Sequence, residues 1–245
     1  MSSKVGLVLI DTESYVLANN AVQQCKRCFD FDDVLVLSDR PELWPDVRSI
    51  RIPRIQTVDD YNSLIITEVP RHLQTDFFIV AQYDGFILHP EAFSPDFYNF
   101  DYIGALWLNY PYFRVGNGGF SWRSRKLATI VATMAEFRAQ GEPEDVFIGR
   151  ILRVALETRH GCRFADEETA TRFSSENILY PVTGFGFHGL MNLPQVYRDD
   201  LPYLIKHLPE RVLKQDGLRQ LSFGVNTLDE ARKAVFWECV NQRLK

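Results

Sequence analysis

Two nearly continuous apolar runs, Val5-Gly6-Leu7-Val8-Leu9-Ile10 and Val34-Leu35-Val36-Leu37, bracket a segment in which Tyr15, Ala18, Val22, Cys25 and Phe29 recur at alternating three- and four-residue spacing. Short runs without polar alternation suit strands covered on both faces, and the intervening stripe is one side of a helix that can lie across them. A strand, helix, strand order closes as a parallel pair through a right-handed crossover. It leaves a ligand crevice at the carboxyl ends of the strands. The expected fold class is therefore α/β, opening on a parallel βαβ unit.

At 245 residues, with 46% hydrophobic and 24% charged, the chain can bury a sizeable core, and one domain over residues 1–245 is expected. A formal net charge of -5 argues against a nucleic-acid surface, which needs clustered Lys and Arg. No window approaches the roughly 18 consecutive apolar residues of a membrane span. Met1-Ser2-Ser3-Lys4 runs straight into a strand without a signal-peptide pattern. A cytoplasmic protein without a membrane span is the expectation, which leaves room for peripheral membrane association. Cys25 and Cys28 form a CxxC, but Cys162 and Cys239 are isolated from any matching pair, so buried helix thiols are favoured over a zinc site.

Further along, Ser49–Ile52, Phe77–Ala81, Phe86–Leu88 and Tyr102–Ala105 read as strands and Val58–Glu68 as a helix. Leu127, Ile130, Val131, Met134 and Phe137 predict a helix from Ser124 to Ala139, ended by Gly141. Another helix runs from Pro143 to a stop at Gly161. Thr227-Leu228-Asp229-Glu230 has the pattern of a capping box for a last helix.

The apolar run Phe77–Ala81 leads into Gln82-Tyr83-Asp84-Gly85-Phe86, which puts a carboxylate at the end of a buried strand. Asp84 is either a turn residue or a ligand for a hard cation. His188, between glycines and aromatics, is either a satisfied structural histidine or a second ligand. Imidazole favours Mn²⁺ over Mg²⁺, so an Asp84/His188 pair predicts a manganese preference, with Mg²⁺ as the alternative. Glu144 and Asp145 fall in the first turn of a helix, where the dipole favours acidic side chains and is expected to lower their pKa. A carboxylate there also meets the requirements of a catalytic base. Gly116-Asn117-Gly118-Gly119 allows close backbone approach to a ligand, but no Lys-Ser/Thr follows it as in a P-loop, and no GxGxxG follows the first strand. Trp107, Tyr110, Tyr112 and Trp122 around this segment are either core or faces on which sugar rings can stack.

In their order, Gln82-Tyr83-Asp84-Gly85-Phe86, Asp101-Tyr102-Ile103-Gly104-Ala105-Leu106-Trp107, Val115-Gly116-Asn117-Gly118-Gly119-Phe120-Ser121, Pro143-Glu144-Asp145, Arg172-Phe173-Ser174-Ser175-Glu176 and Phe185-Gly186-Phe187-His188-Gly189 resemble a family of predicted bacterial and fungal glycosyltransferases long filed as a domain of unknown function. The likeness runs from about Tyr61 to Gly189. It implies a Rossmann-like GT-A fold, an αβα sandwich with a mixed, mainly parallel central sheet. By the same resemblance, Asp84 matches the last carboxylate of the Asp-x-Asp metal motif, with Gln82 where the first Asp would stand. His188 matches the C-terminal metal-binding histidine, and Asp145 the base of inverting members, with Glu144 as the next candidate.

The implied activity is inverting transfer of a sugar from a nucleotide diphosphate sugar, UDP-linked by preference, to a saccharide or glycolipid hydroxyl in surface polysaccharide synthesis. Residues 1–105 would form the nucleotide-sugar half, with Asp11, Thr12, Glu13, Asp39, Gln82 and Asp84 at strand ends and Gly118 and Gly119 beside the sugar. Residues 106–245 would form the acceptor half, with Trp107, Tyr112 and Trp122. Two rivals stand beside this reading. A glycoside hydrolase would use Asp84 and Asp145 as its carboxylate pair and have no diphosphate pocket. A carbohydrate-binding module would keep the aromatics without converging Asp84, His188 and Asp145.

Overall fold

The computed structural model describes residues 3–134, 141–176 and 181–245. The strands described are β1 (Val5–Ile10), β2 (Asp33–Ser38), β3 (Arg48–Arg51), β4 (Phe77–Ala81), β5 (Gly85–Ile87), β6 (Tyr102–Leu106), β7 (Val115–Ser124), β8 (Ser174–Ser175) and β9 (Gly186–His188). Six of them form a sheet of order β3-β2-β1-β4-β7-β6, in which β3, β2, β1 and β4 are mutually parallel and β7 runs against both β4 and β6. The sheet is thus mixed and mainly parallel, its parallel part as expected from the βαβ opening and its mixed character as the resemblance implied.

Period-two alternation divides the strands between two cores. Val5, Leu7 and Leu9 of β1, with Ile79 and Ala81 of β4, face one side. Val8, Ile10, Phe78 and Val80 face the other. On the first side lies helix α1 (Tyr15–Cys28), whose Leu17, Ala18, Ala21, Val22 and Cys25 are buried in that core. On the second lie α2 (Val58–Ser63), its π-helical continuation Leu64–Glu68 and α3 (Val69–His72). They are joined there by α4 (Arg125–Thr133), α5 (Glu144–Val146) with its π-helical extension Phe147–Ile151, and α6 (Arg153–His160). The remaining helices are α7 (Glu167–Phe173), α8 (Leu193–Val196), α9 (Leu201–His207), α10 (Gln215–Val225) and α11 (Glu230–Arg243).

A second, three-stranded sheet, β5-β9-β8, pairs Gly85 with His188 and Ser175 with Phe187. It brings the two motifs around Asp84 and His188 together from opposite ends of the family-like segment.

Several expectations are corrected. Gly116-Asn117-Gly118-Gly119 lies inside the ten-residue strand β7, buried throughout, a strand that the sequence reading did not include. Its glycines hide the alternation because neighbouring groups fill the space their side chains would need: Trp107 over Gly116, and Glu144 and Arg123 over Gly118. The last helix is capped by Asp229, whose side chain accepts from Arg232 N–H, while the Thr227 hydroxyl donates to the Gly224 carbonyl. The expected α4 continuation to Ala139, including Phe137, lies outside the described residues. Gly161 ends α6 in the left-handed conformation at φ 59°, as expected. Cys25 and Cys28 sit on α1 as free thiols, Cys25 buried.

Candidate active site at the switch of the central sheet

β1 is flanked by β2 on one side and β4 on the other, so the chain's direction of winding reverses between β1 and β4. A crevice opens at the carboxyl ends of strands at such a point. Here it is a cleft of about 700 Å³, walled by Asp11, Thr12, Glu13 and Ser14 after β1 and by Gln82 and Tyr83 after β4. Arg54–Val58, Tyr61 and Arg211 complete the wall. Asp11 Oδ1 accepts the Glu13 and Ser14 amides at 2.9 and 2.6 Å. Burial outweighs those bonds and lifts its carboxyl to a pKa of about 6. Thr12 Oγ1 accepts Ile55 N–H at 3.1 Å, and Arg211 Nε donates to Glu13 at 2.8 Å. Asp39 lies outside this wall, its carboxylate accepting the Tyr15 hydroxyl at 2.8 Å.

At the edge of the cleft the chain reverses over Tyr83 and Asp84, closed by reciprocal bonds between Gln82 and Gly85 at 2.9 and 3.0 Å. The Asp84 carbonyl accepts Gly189 N–H at 2.8 Å, and the Gly85–His188 register sets the imidazole beside Asp84. His188 Nε2 is 3.2 Å from Gln82 Oε1 and 3.9 Å from Asp84 Oδ1, and its Nδ1 is 3.3 Å from Glu176 Oε1. Gln82 is held in turn by its amide N–H₂, which donates to the Tyr61 hydroxyl at 2.9 Å.

Burial works against charge on His188, but the bond to Glu176 and the carboxylates of Asp84 and Glu176 push its pKa up to about 9. The ring therefore carries both protons at neutral pH unless a cation displaces the one on Nε2. Burial also raises the Asp84 carboxyl, against the pull of His188.

These atoms fit a divalent cation. Asp84 Oδ1 is buried and without a hydrogen-bond partner among the described residues. Ligand atoms each about 2.1 Å from one ion stand at most about 4.2 Å apart. The Asp84–His188 and Gln82–His188 separations of 3.9 and 3.2 Å lie inside that limit. Among the described residues no group of three or more His, Cys, Asp or Glu is arranged to hold a metal. The donor set is therefore one carboxylate, one imidazole and an amide oxygen.

Asp145 lies across β7. Its Oδ2 accepts Gly118 N–H at 3.0 Å and its Oδ1 accepts Val146 N–H at 2.7 Å. Contrary to the lowering expected from a helix start, burial and then the neighbouring Glu144 charge raise its pKa to about 6. Glu144 is buried and accepts two bonds from the Arg123 guanidinium at 2.7 and 2.9 Å, while its backbone N–H donates to Asn62 at 2.9 Å. Glu144 is thereby committed to an ion pair and is not poised as a base. Burial works against charge on Arg123, but the Glu144 carboxylate, its hydrogen bonds and the nearby Tyr102 and Tyr61 together raise it. Gly118 and Gly119 sit side by side on β7, and a Cβ at Gly119 would collide with the His188 ring while one at Gly118 would collide with Glu144. Neighbouring side chains of the site itself, rather than a sugar, fill the space over both glycines.

The aromatics separate. Trp122 is fully buried with its ring stacked on Phe77 at 5.1 Å, so no acceptor can touch it. Trp107 is buried against Gly116 and Gly149. Tyr112 is 62% exposed, and its carbonyl accepts a bond from Arg150. Sequence reasoning missed Arg211, Arg54 and Tyr61 as cleft residues, and Glu176, although quoted within a motif, was given no role. Only Glu176 carried a signal, as the one carboxylate in Arg172–Glu176.

An open α/β sheet with its crevice at the switch point, extended by a small sheet that carries a turn carboxylate and a histidine, is a GT-A-type architecture. A solved structure of this kind is that of a glycosyltransferase involved in the glycosylation of the major capsid of PBCV-1, with 10% identity, a TM-score of 0.50 and coverage of 76% of this chain and 94% of that one. The mannosyltransferase PcManGT from Pyrobaculum calidifontis, solved with GDP-Man and Mn²⁺, is 10% identical at a TM-score of 0.45, over 100% of this chain and 81% of its own. The glucosyl-3-phosphoglycerate synthase from Mycobacterium tuberculosis, solved with Mn²⁺, UDP and phosphoglyceric acid, is 11% identical at a TM-score of 0.36, over 51% of this chain and 57% of its own. No curated protein matches the chain. The family model described as "Protein of unknown function (DUF5672)" matches residues 46–188, more than half of the sequence, and the chain belongs to that family. Among the described residues no helix is long and apolar enough to cross a membrane.

Proposed function

We propose that the protein transfers a sugar from a nucleotide diphosphate sugar to an acceptor hydroxyl with inversion at the anomeric carbon. The observation that carries this reading is the meeting at adjacent glycines of β7 of His188, with its neighbours Gln82 and Asp84, at Gly119 and of Asp145 at Gly118, next to the cleft wall that Gln82 and Tyr83 form. The fold shared with the PBCV-1 capsid glycosyltransferase is in keeping with it.

Residues 1–105 are assigned to the nucleotide sugar, with Asp11, Thr12 and Glu13 along the cleft. Residues 106–245 are assigned to the acceptor and supply Arg211 back to the cleft wall. Asp84, His188 and the Gln82 amide oxygen would hold a divalent cation, for which the imidazole favours Mn²⁺. When bound, that ion would neutralise the leaving diphosphate.

Asp145 takes the proton from the acceptor hydroxyl. A pKa of about 6 leaves it ionised at neutral pH and more basic than an ordinary carboxylate. Gly118 N–H fixes the orientation of its carboxylate, and the Arg123–Glu144 pair anchors α5 to β7. Tyr112, exposed on the acceptor side, is the aromatic open to a sugar face. Synthesis of surface polysaccharide in the cytoplasm is the role proposed for such a product.

A panel of nucleotide sugars, beginning with uridine diphosphate sugars, tests the reading through binding and hydrolysis with Mn²⁺ and with chelator. Tight binding of at least one nucleotide sugar is expected. A chain that binds none, yet cleaves glycosides through Asp84 and Asp145, would be a hydrolase.

A further inference from the structure

We propose that Glu176 is the positioning residue of the cation site, holding a proton of His188 on Nδ1 so that Nε2 is the nitrogen left to a cation shared with Asp84 and Gln82. The inference deepens the reading above and rests on it.

β8 pairs in parallel with β9, Ser174 opposite Gly186 and Ser175 opposite Phe187. One step further along this register, Glu176 comes beside His188, with Oε1 3.3 Å from Nδ1. Its side chain is only 14% exposed and that of His188 17%, so solvent competes little for this bond. A carboxylate accepts and never donates, hence the proton stays on Nδ1 and the second nitrogen is the one left for a ligand. On the other side of the ring, Nε2 faces Gln82 Oε1 and the unpartnered Asp84 Oδ1. Gly85 and Gly119 flank the imidazole without side chains of their own, which lets it lie between the two carboxylates. A merely structural Glu176 would need only to fill space and accept one bond. It would have no reason to engage the ring nitrogen opposite the one that faces the two ligand oxygens.

The test is Mn²⁺ affinity of the full chain, followed by loss of the free-ion electron paramagnetic resonance signal, with thermal stability recorded in parallel. Glu176→Leu removes the acceptor and is expected to weaken Mn²⁺ binding about 10- to 100-fold, the usual effect of losing such a partner. Glu176→Gln keeps an oxygen that can accept Nδ1–H and is expected to recover most of the affinity, which guards against simple misfolding. In a His188→Ala background, Glu176→Leu should cause no further loss. Unchanged affinity in Glu176→Leu, or equal losses in both backgrounds, overturns the role of Glu176 alone. A wild-type chain that binds no Mn²⁺, with or without uridine diphosphate, overturns the cation site and this inference together. Nucleotide-sugar binding in chelator then judges the transferase reading separately.

Discussion

Asp145 is where burial, charge and chemistry meet in one carboxylate. Its pKa of about 6 lies above the usual 3.8, so the folded chain holds that proton more tightly than the unfolded one. The ionised form therefore costs stability, a cost that sets in from about pH 4 and is complete above about pH 6. Asp145→Asn removes the basic oxygen and the buried charge together. At pH 7.5 it is expected to lower kcat about 10²- to 10⁴-fold with little change in melting temperature, since relief of the buried charge is set against the one backbone N–H, of Gly118 or Val146, that the carboxamide NH₂ cannot accept, and the wild-type kcat/KM should fall as pH drops through about 6. Near-normal transfer by the variant, or a product with retained configuration, would remove Asp145 as base. Gly119 tests the other face of β7. In Gly119→Ala the new methyl meets the His188 ring, and overpacking of this kind costs about 1–3 kcal/mol. The expected signature is a loss of Mn²⁺ affinity on titration that is larger than the loss seen for alanine at Gly141, where φ of 86° strains the backbone but a Cβ meets nothing within 4 Å.

β7 ties the site together, and it is also the element that the sequence concealed. The βαβ opening, the strand before Asp84 and α1 were legible because continuous apolar runs and a three-four stripe each have one simple folded meaning. A strand through Val115–Ser124 was not, since the positions that should alternate apolar and polar are glycines beneath Trp107, Glu144 and His188. The partners that explain them are distant in sequence, and no local pattern encodes them. The same holds for Arg211, which reaches Glu13 across 198 positions, and for Trp122, whose aromatic surface reads equally as core or as sugar platform. Asp84, Asp145 and His188 were singled out by resemblance, and their mutual arrangement came only with the fold. The tie between β7 and α5 has its own test. Arg123→Met strands the buried Glu144 carboxylate and is expected to cost about 3–5 kcal/mol in urea unfolding, with a substantial part recovered when Glu144→Gln is added. Equal stability of the single and double variants would show that the pair does not carry this connection.

At the scale of the whole molecule, the buried ionisable groups pull stability in one direction. Asp11 and Asp145, both at about 6, and the raised Asp84 favour the folded state when protonated. His188, at about 9 against an ordinary 6.5, adds stability that is full below 6.5 and is lost as pH rises through 9. The lowered carboxyls of Asp60, Asp166, Glu210 and Asp229 act oppositely and lose their contribution only as pH falls through about 4. In chelator, the melting temperature is therefore expected to peak near pH 4, fall as Asp11 and Asp145 ionise up to about pH 6, and fall again as His188 loses its proton between about pH 6.5 and 9. A plateau from pH 6 to 9 in calorimetry would contradict this balance. The small sheet that joins Gly85 to His188 carries a kinetic consequence as well. Its β5–β9 pairings close loops of about a hundred residues, and such closures are slow and come late along the folding route. A ligand seated there finds its site unbuilt at the rate-limiting barrier, so Mn²⁺ is expected to slow the unfolding arm of the chevron and leave the refolding arm where it was.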